Sequence, residues 1–324
     1  MGGFLMDILK NTDIKFVSFR KKSYLLSGLV ILVGIISILA QGFNYGIDFA
    51  GGTLLQLEFN QKNVTVAEIR GALGEINLAG STIQSLSNDE FVIRTTQTEL
   101  QERQKILNAI ENRIGPFQVL RVEMVGPVIG ESLKSLTVLA IIFAFIGIII
   151  YITVRFQFLY AITAILALAH DVLITLGVLS ILQKEVTIPI VAAILTIVGY
   201  SINNTIVIFD RLRENLKSKI RISMENVINL SINQSLTRTI YTALTTLLPL
   251  FALYFFGGTL SDFALVLLVG ISVGTFSSVC IAGPMLLDFK KRVKISGKKV
   301  SSAPQREQEK ELKAIKKVKK AKTK

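Results

Sequence analysis

One cysteine, Cys280, and one histidine, His170, stand in 324 residues, and there is no tryptophan. A single thiol excludes an intrachain disulfide framework and any cysteine-built zinc centre. A single imidazole excludes multi-histidine metal chemistry and argues against a hydrolytic triad. No metal site, no cofactor and no enzymatic activity are expected. Charge is unevenly spread: of a net +13, +12 lies in residues 290–324, where 15 Lys and Arg face 3 Glu. The rest of the chain is nearly neutral, so the positive balance does not indicate a specific nucleic-acid partner. What is abundant is apolar surface, with 51% hydrophobic residues and a mean hydropathy of +0.55. That is too high for an ordinary soluble domain and predicts a polytopic membrane protein.

A helix needs about 20 apolar residues to cross the roughly 30 Å core of a bilayer. Six stretches qualify: 23–41, 133–154, 156–182, 186–209, 238–258 and 261–288. They predict six transmembrane helices, because open backbone is not tolerated in lipid. Between and around them lie an N-terminal segment (1–22), a long polar segment (42–132), a loop (210–237) and a basic tail (289–324). If spans alternate, 27 Lys and Arg fall on one side of the membrane and 9 on the other. Both termini are therefore expected to be cytoplasmic and 42–132 to face outward. The first span, with its long charged leader, reads as an uncleaved signal anchor. The tail reads mainly as a solvated topology determinant, with anionic lipid headgroups, RNA or the ribosome as alternative contacts.

The outward segment alternates apolar and polar residues from Thr53 to Phe59, as in a half-buried strand. Residues 63–76 and 97–114 have helical periodicity, 83–87 and 91–95 flank an Asn88-Asp89 hairpin signal, and 119–125 forms a last strand. The order β-α-β-β-α-β predicts a ferredoxin-like α+β domain between helices 1 and 2. At about 75 residues it is large enough for one small core but not for an enclosed active site. It contains no His or Cys, so a binding or gripping role fits better than chemistry. Gly51-Gly52 and Gly126-Pro127 flank it as turn residues and hinge candidates.

Ionisable groups within spans are costly and mark functional candidates. Asp171 is the deepest carboxylate, with Ala167 and Thr175 on the same helix face. Desolvation there disfavours the charged form, which suits a group that binds and releases protons; clamping a neighbouring helix is the structural alternative. His170 is adjacent but about 100° round the helix, so contact between the two is not required. Asn203 and Asn204 lie inside an apolar run, as helix glue or as a polar path. Arg238 opens the fifth span, where it either snorkels to water or holds charge near a proton route.

Several segments together carry a resemblance: Gly46-Ile-Asp-Phe-Ala-Gly-Gly52, Val125-Gly-Pro-Val-Ile-Gly-Glu-Ser-Leu133, Ala169-His-Asp-Val172, the run from Gly199 to Asn215, and Ser235-Leu-Thr-Arg-Thr239. In that order, from Lys15 to Arg292, they resemble the SecF branch of the SecD/SecF family, within the resistance–nodulation–division superfamily. The resemblance implies a multi-pass subunit of the Sec preprotein translocase in the bacterial cytoplasmic (inner) membrane. It implies late-stage export driven by the proton or sodium motive force. It also implies a pseudo-symmetric heterodimer with SecD, association with the SecYEG channel, YajC and YidC, and unfolded preprotein as substrate, all amid membrane lipid. Ion-coupling candidates are then Asp171, Arg238, Asn204 and Asn203. The family pattern has Asp where Asn204 stands, and an amide cannot carry that proton. The alternatives are half of a small-molecule exporter of the same superfamily and a membrane scaffold without ion coupling.

Overall fold

The computed structural model describes residues 12–87, 89–218 and 223–290. The leader before Thr12, the turn residue Asn88, loop residues 219–222 and the basic tail after Lys290 lie outside the described residues, with the expectations attached to them.

The described residues begin with α1 (Phe16–Gln41), a two-residue strand β1 (Asn44–Tyr45) and a single helical turn α2 (Ile47–Ala50). A polar module follows: β2 (Gly52–Phe59), α3 (Val66–Gly74), β3 (Thr82–Ser85), β4 (Glu90–Thr95), α4 (Leu100–Ile114) and β5 (Phe117–Val125). Then come α5 (Pro127–Arg155), α6 (Phe158–Ile181), β6 (Glu185–Val186), α7 (Ile188–Lys217), α8 (Met224–Phe256) and α9 (Ser261–Ser277). α9 continues through a π-helical turn, Ser278–Ala282, and helix resumes as far as Lys290. Among the described residues six segments are long and apolar enough to cross a membrane: α1, α5, α6, α7, α8 and Gly258–Lys290. Their ends follow local chemistry. Proline opens α5 and α7 in the first turn, where no N–H is needed, and the Ser223 hydroxyl caps α8 by accepting from Asn226 N.

The membrane helices form two layers. α6, α7 and the last segment bury 56%, 50% and 61% of their apolar windows, whereas α1, α5 and α8 bury only 11%, 6% and 11%. The first three are therefore the core, and the others turn broad apolar faces outward. α1 reaches the core by backbone contact. A Cβ added to Gly34 would stand 2.9 Å from Gly177 Cα on α6, and one on Gly177 would stand 2.7 Å from Gly34 Cα. Small residues at a crossing let two backbones approach where lipid offers no hydrophobic drive.

In the module the strands pair antiparallel in the order β3-β4-β2-β5. Leu55, Leu57, Phe91 and Ile93 on one sheet face pack against Ile69 and Leu73 of α3 and Ile106 and Ile110 of α4. α3 carries a reciprocal capping box between Thr65 and Glu68. It is shorter than the periodicity of 63–76 suggests, because Asn63 and Asn77 adopt φ of 67° and 61° and place left-handed residues outside both ends. The segment 210–237, expected as a loop, is largely helical, since α7 runs to Lys217 and α8 starts at Met224.

The module's other sheet face sits over the bundle. Leu54 and Val92 pack on Ile47 of α2. β1 and β6 form a short parallel ladder, Asn44 opposite Glu185 and Tyr45 opposite Val186. The Asp48 carboxylate accepts from Ile188 N at 2.9 Å, which places an anion on the α7 N-terminus. Arg94 Nε of β4 pairs with Glu185 Oε2 at 2.9 Å.

Candidate intramembrane site

Asp171 is fully buried on α6 and lies where α6, α7 and α9 meet. Its Oδ2 accepts from Ser277 Oγ on α9 at 2.8 Å and from Ser201 Oγ on α7. Its Oδ1 meets His170 Nδ1 at 2.8 Å. One carboxyl group thus meets three polar side chains and ties three helices. Gly274 keeps the approach open, since a Cβ there would come within 3.4 Å of Asp171 Oδ2 and 3.0 Å of Ser201 Cβ. Beside this node, Thr205 Oγ1 and Ser278 Oγ lie 3.0 Å apart. The Thr175 hydroxyl, on the expected face of α6, donates to the Asp171 carbonyl at 2.8 Å.

His170 therefore touches Asp171, although the two project about 100° apart from the helix axis. The short carboxylate and the ring bend toward each other at Cβ, which angular spacing alone does not reveal. The imidazole is itself buried, and among the described residues its Nε2 meets no donor or acceptor. One hydrogen lies between Nδ1 and Oδ1; with Asp171 as a carboxylate it sits on Nδ1, and Nε2 then presents a lone pair.

The other expected residues do not converge on this node. Asn204 is buried on α7 with its Nδ2 unpartnered, whereas Asn203, one residue away, is exposed. Arg238 is exposed and lines a cavity of about 290 Å³ with Asp210, Arg211, Glu214 and Gln234, a setting that fits snorkelling. Gly51 and Gly52 have φ of 76° and 136°, and a Cβ on Gly52 would lie 2.3 Å from Thr95 O. Gly51 packs on Pro127, at 3.1 Å from a notional Cβ to Pro127 Cα, so the two pairs flagged in the sequence meet at one junction. Gly126 is the N-cap of α5.

Reading the sequence alone passes over Ser201, Ser277, Arg94 and Glu185. Ser201 lies inside the Gly199–Asn215 motif, but nothing local separates Ser277 from Ser278. Burial pushes the Glu185 carboxyl above its ordinary value, while Arg94 beside it pulls the other way.

A family model described as the C-terminal part of the protein export membrane protein SecD/SecF matches residues 105–292, and one for the SecD/SecF GG motif matches residues 36–62. The chain belongs to the SecD/SecF family. Its GG-motif match contains Gly51-Gly52, the pair whose φ values and contacts exclude a side chain. Family relatives named protein translocase subunit SecF include one from Calditerrivibrio nitroreducens, 40% identical over 296 residues, covering 88% of this chain and 97% of the relative. Another, from Magnetococcus marinus, is 40% identical over 308 residues and covers 91% and 99%. Among solved structures, SecDF of Thermus thermophilus, described as a translocon-associated membrane protein, superposes with a TM-score of 0.79 at 38% identity, over 87% of this chain and 39% of that one. SecDF in a super-membrane-facing form gives 0.69 at 38% identity, over 90% and 40%. This chain therefore spans about two fifths of the SecDF chain.

Proposed function

We propose that this chain is the SecF-type subunit of the Sec preprotein translocase, and that with SecD it promotes late-stage export using the proton or sodium motive force. The observation that carries the coupling is the buried Asp171 carboxylate joining the three core helices. A charge-bearing group at such a node changes helix packing when its charge changes, which links ion occupancy to a conformational step. The near full-length likeness to subunits named for protein translocation supports the substrate class. The outward apolar faces of α1, α5 and α8 suit membrane lipid and a homologous SecD partner.

In this reading the chain lies in the bacterial inner membrane with both termini cytoplasmic. The module between α1 and α5 is a ferredoxin-like extracytoplasmic domain, supported by its β-α-β-β-α-β order and antiparallel sheet. It grips emerging preprotein and tilts at the junction of Gly51, Gly52, Gly126 and Pro127. SecYEG, YajC and YidC are its expected neighbours. Asn204 and Asn203 are polar packing or path residues, and Arg238, midway along α8, tunes charge beside the C-terminal part of α7.

The test is pulse-labelling of a secreted precursor in cells depleted of this chain, with and without collapse of the gradient. Slower processing on depletion that disappears once the gradient is collapsed supports the proposal. A depletion defect that persists in full without the gradient favours an uncoupled scaffold. Normal processing with greater sensitivity to small toxic compounds favours an exporter.

A further inference from the structure

We infer that the proton-binding group of this site is the His170 imidazole, with Asp171 as its fixed counter-charge, so that the two side chains work as one unit. The inference rests on the reading of the Asp171 node as the coupling site and goes beyond it by naming the atom that takes the proton.

The geometry separates the two roles. Both oxygens of Asp171 are engaged, Oδ2 accepting from Ser201 and Ser277 and Oδ1 meeting His170 Nδ1, so the carboxyl group offers no open position. His170 has one nitrogen committed to that carboxylate and one, Nε2, buried without a protein partner. A buried polar atom without a partner is destabilising, so its persistence in a packed core asks for a function.

Charge bookkeeping favours the same assignment. The helices packed on α6 are α1, α5, α7 and α9 with its continuation. Over 24–41, 135–154, 188–209 and 263–287 these carry no Asp, Glu, Lys, Arg or His. Their titratable groups in those stretches are Tyr24, Tyr151, Tyr200 and Cys280, none of which is charged at neutral pH. Asp171 thus has no counter-ion in the membrane interior except its neighbour. When a proton from the bathing solution binds Nε2, imidazole becomes imidazolium, the Nδ1–H···Oδ1 bond becomes charge-assisted, and the pair goes from −1 to neutral. Release of that proton from Nε2 restores −1. Each cycle moves one proton and breaks no other bond.

The assignment has a direct readout because the chain has a single histidine. In full-length protein labelled with 15N-histidine and placed in lipid bilayers, one pair of ring-nitrogen resonances is expected. They should pass from the neutral Nδ1–H tautomer to the doubly protonated ring as the bath is taken from about pH 8 to about pH 5. A ring that stays neutral over that range overturns the inference.

Variants test whether that proton matters. Asparagine at 170 keeps a donor near the Nδ1 position and binds no proton, so His170→Asn preserves a purely structural hold on Asp171. With equal membrane abundance, His170→Asn is expected to lose the gradient-dependent part of precursor processing and its dependence on external pH, as Asp171→Asn does. Retention of both properties in His170→Asn, with loss in Asp171→Asn, overturns the role of His170 and leaves the proposed function intact. If both variants behave as the native chain, coupling at this site fails, and this inference fails with it.

Discussion

Ser277 of α9 donates to Asp171 of α6 at 2.8 Å, one residue before α9 passes into its π-helical turn. The wider turn changes the angular spacing of side chains, and Ser277 and Ser278 are both buried, one on Asp171 and the other on Thr205. Such turns interrupt helices mostly where a site requires it. Ser277→Ala and Ser201→Ala are each expected to lower stability by about 1.5–3 kcal/mol, the range for hydrogen bonds to charged groups. Both serve the same oxygen, so the double variant should deviate from the sum of the two. Thermal unfolding in detergent, comparing single and double variants, checks this; additive losses would show that the hydroxyls act independently.

The crossing of α1 and α6 gives a sharper steric prediction. Gly34→Ala places a methyl 2.9 Å from a backbone carbon of Gly177, where neither side can rotate away. The helices must separate, at a cost of about 1–3 kcal/mol. Gly28 lies on the same helix with nothing within 4 Å of its notional Cβ. Gly28→Ala should therefore leave the unfolding midpoint in place while Gly34→Ala lowers it. Equal effects would mean that helix propensity, not the close approach, governs the outcome.

Much of this architecture is legible in the sequence, and the boundary of legibility is physical. Apolar runs of membrane-spanning length mark the six helices, because length and apolarity are the main requirements for crossing. Alternation from Thr53 to Phe59 marks β2, because Leu55, Leu57 and Phe59 face the module's core while Gln56 and Glu58 point the other way; that Leu54 on this second face is also buried, against Ile47, is not legible in the pattern. Facing inside the bundle is a different matter. A helix that is apolar all round has no periodic contrast, so Ser277 looks like Ser278, and Asn203 looks like Asn204 although only the second is buried. The β1–β6 ladder joins segments about 140 residues apart through two residues each, too short for any pattern. The contact of His170 with Asp171 depends on side-chain torsions, which sequence spacing does not encode.

The anchorage of the module to the bundle should respond to pH through Glu185. Burial raises its carboxyl above the ordinary 4.5, with Asp262 and Asp48 adding to the rise and Arg94 and Lys184 opposing it. For an acid with a raised folded-state value, the docked form binds the proton more tightly than the separated form. Below about pH 4.5 both forms hold the proton and the group contributes nothing; above the raised value the docked form bears the cost of a desolvated charge. Docking should therefore weaken slightly as pH rises through that window. Glu185→Gln should remove the dependence and be neutral or stabilising at pH 7. Arg94→Gln leaves the carboxylate without its partner and should loosen the junction, by less than the about 3–5 kcal/mol typical of fully buried pairs. Protease sensitivity of the chain around the β5–α5 junction at Gly126, followed against pH, distinguishes the two variants.

Asn204 offers a test of whether a buried amide on α7 belongs to the ion path. Its Nδ2 has no protein partner, and such an orphaned group costs about 1–3 kcal/mol. Asn204→Leu removes the orphan and keeps the number and branching of side-chain heavy atoms, so the variant should be about as stable as the native chain or more so. An amide takes up no proton at neutral pH, so gradient-dependent processing should also survive if the relay runs through His170 and Asp171. Unfolding midpoint and precursor processing, measured on the same membranes, separate the possibilities. A more stable protein that has lost its gradient dependence would place Asn204 on the path as a polar relay and would show that the node around Asp171 is not sufficient. A stable protein with normal coupling leaves the three polar side chains on Asp171 and the open nitrogen of His170 as the chemistry that this half of the translocase contributes.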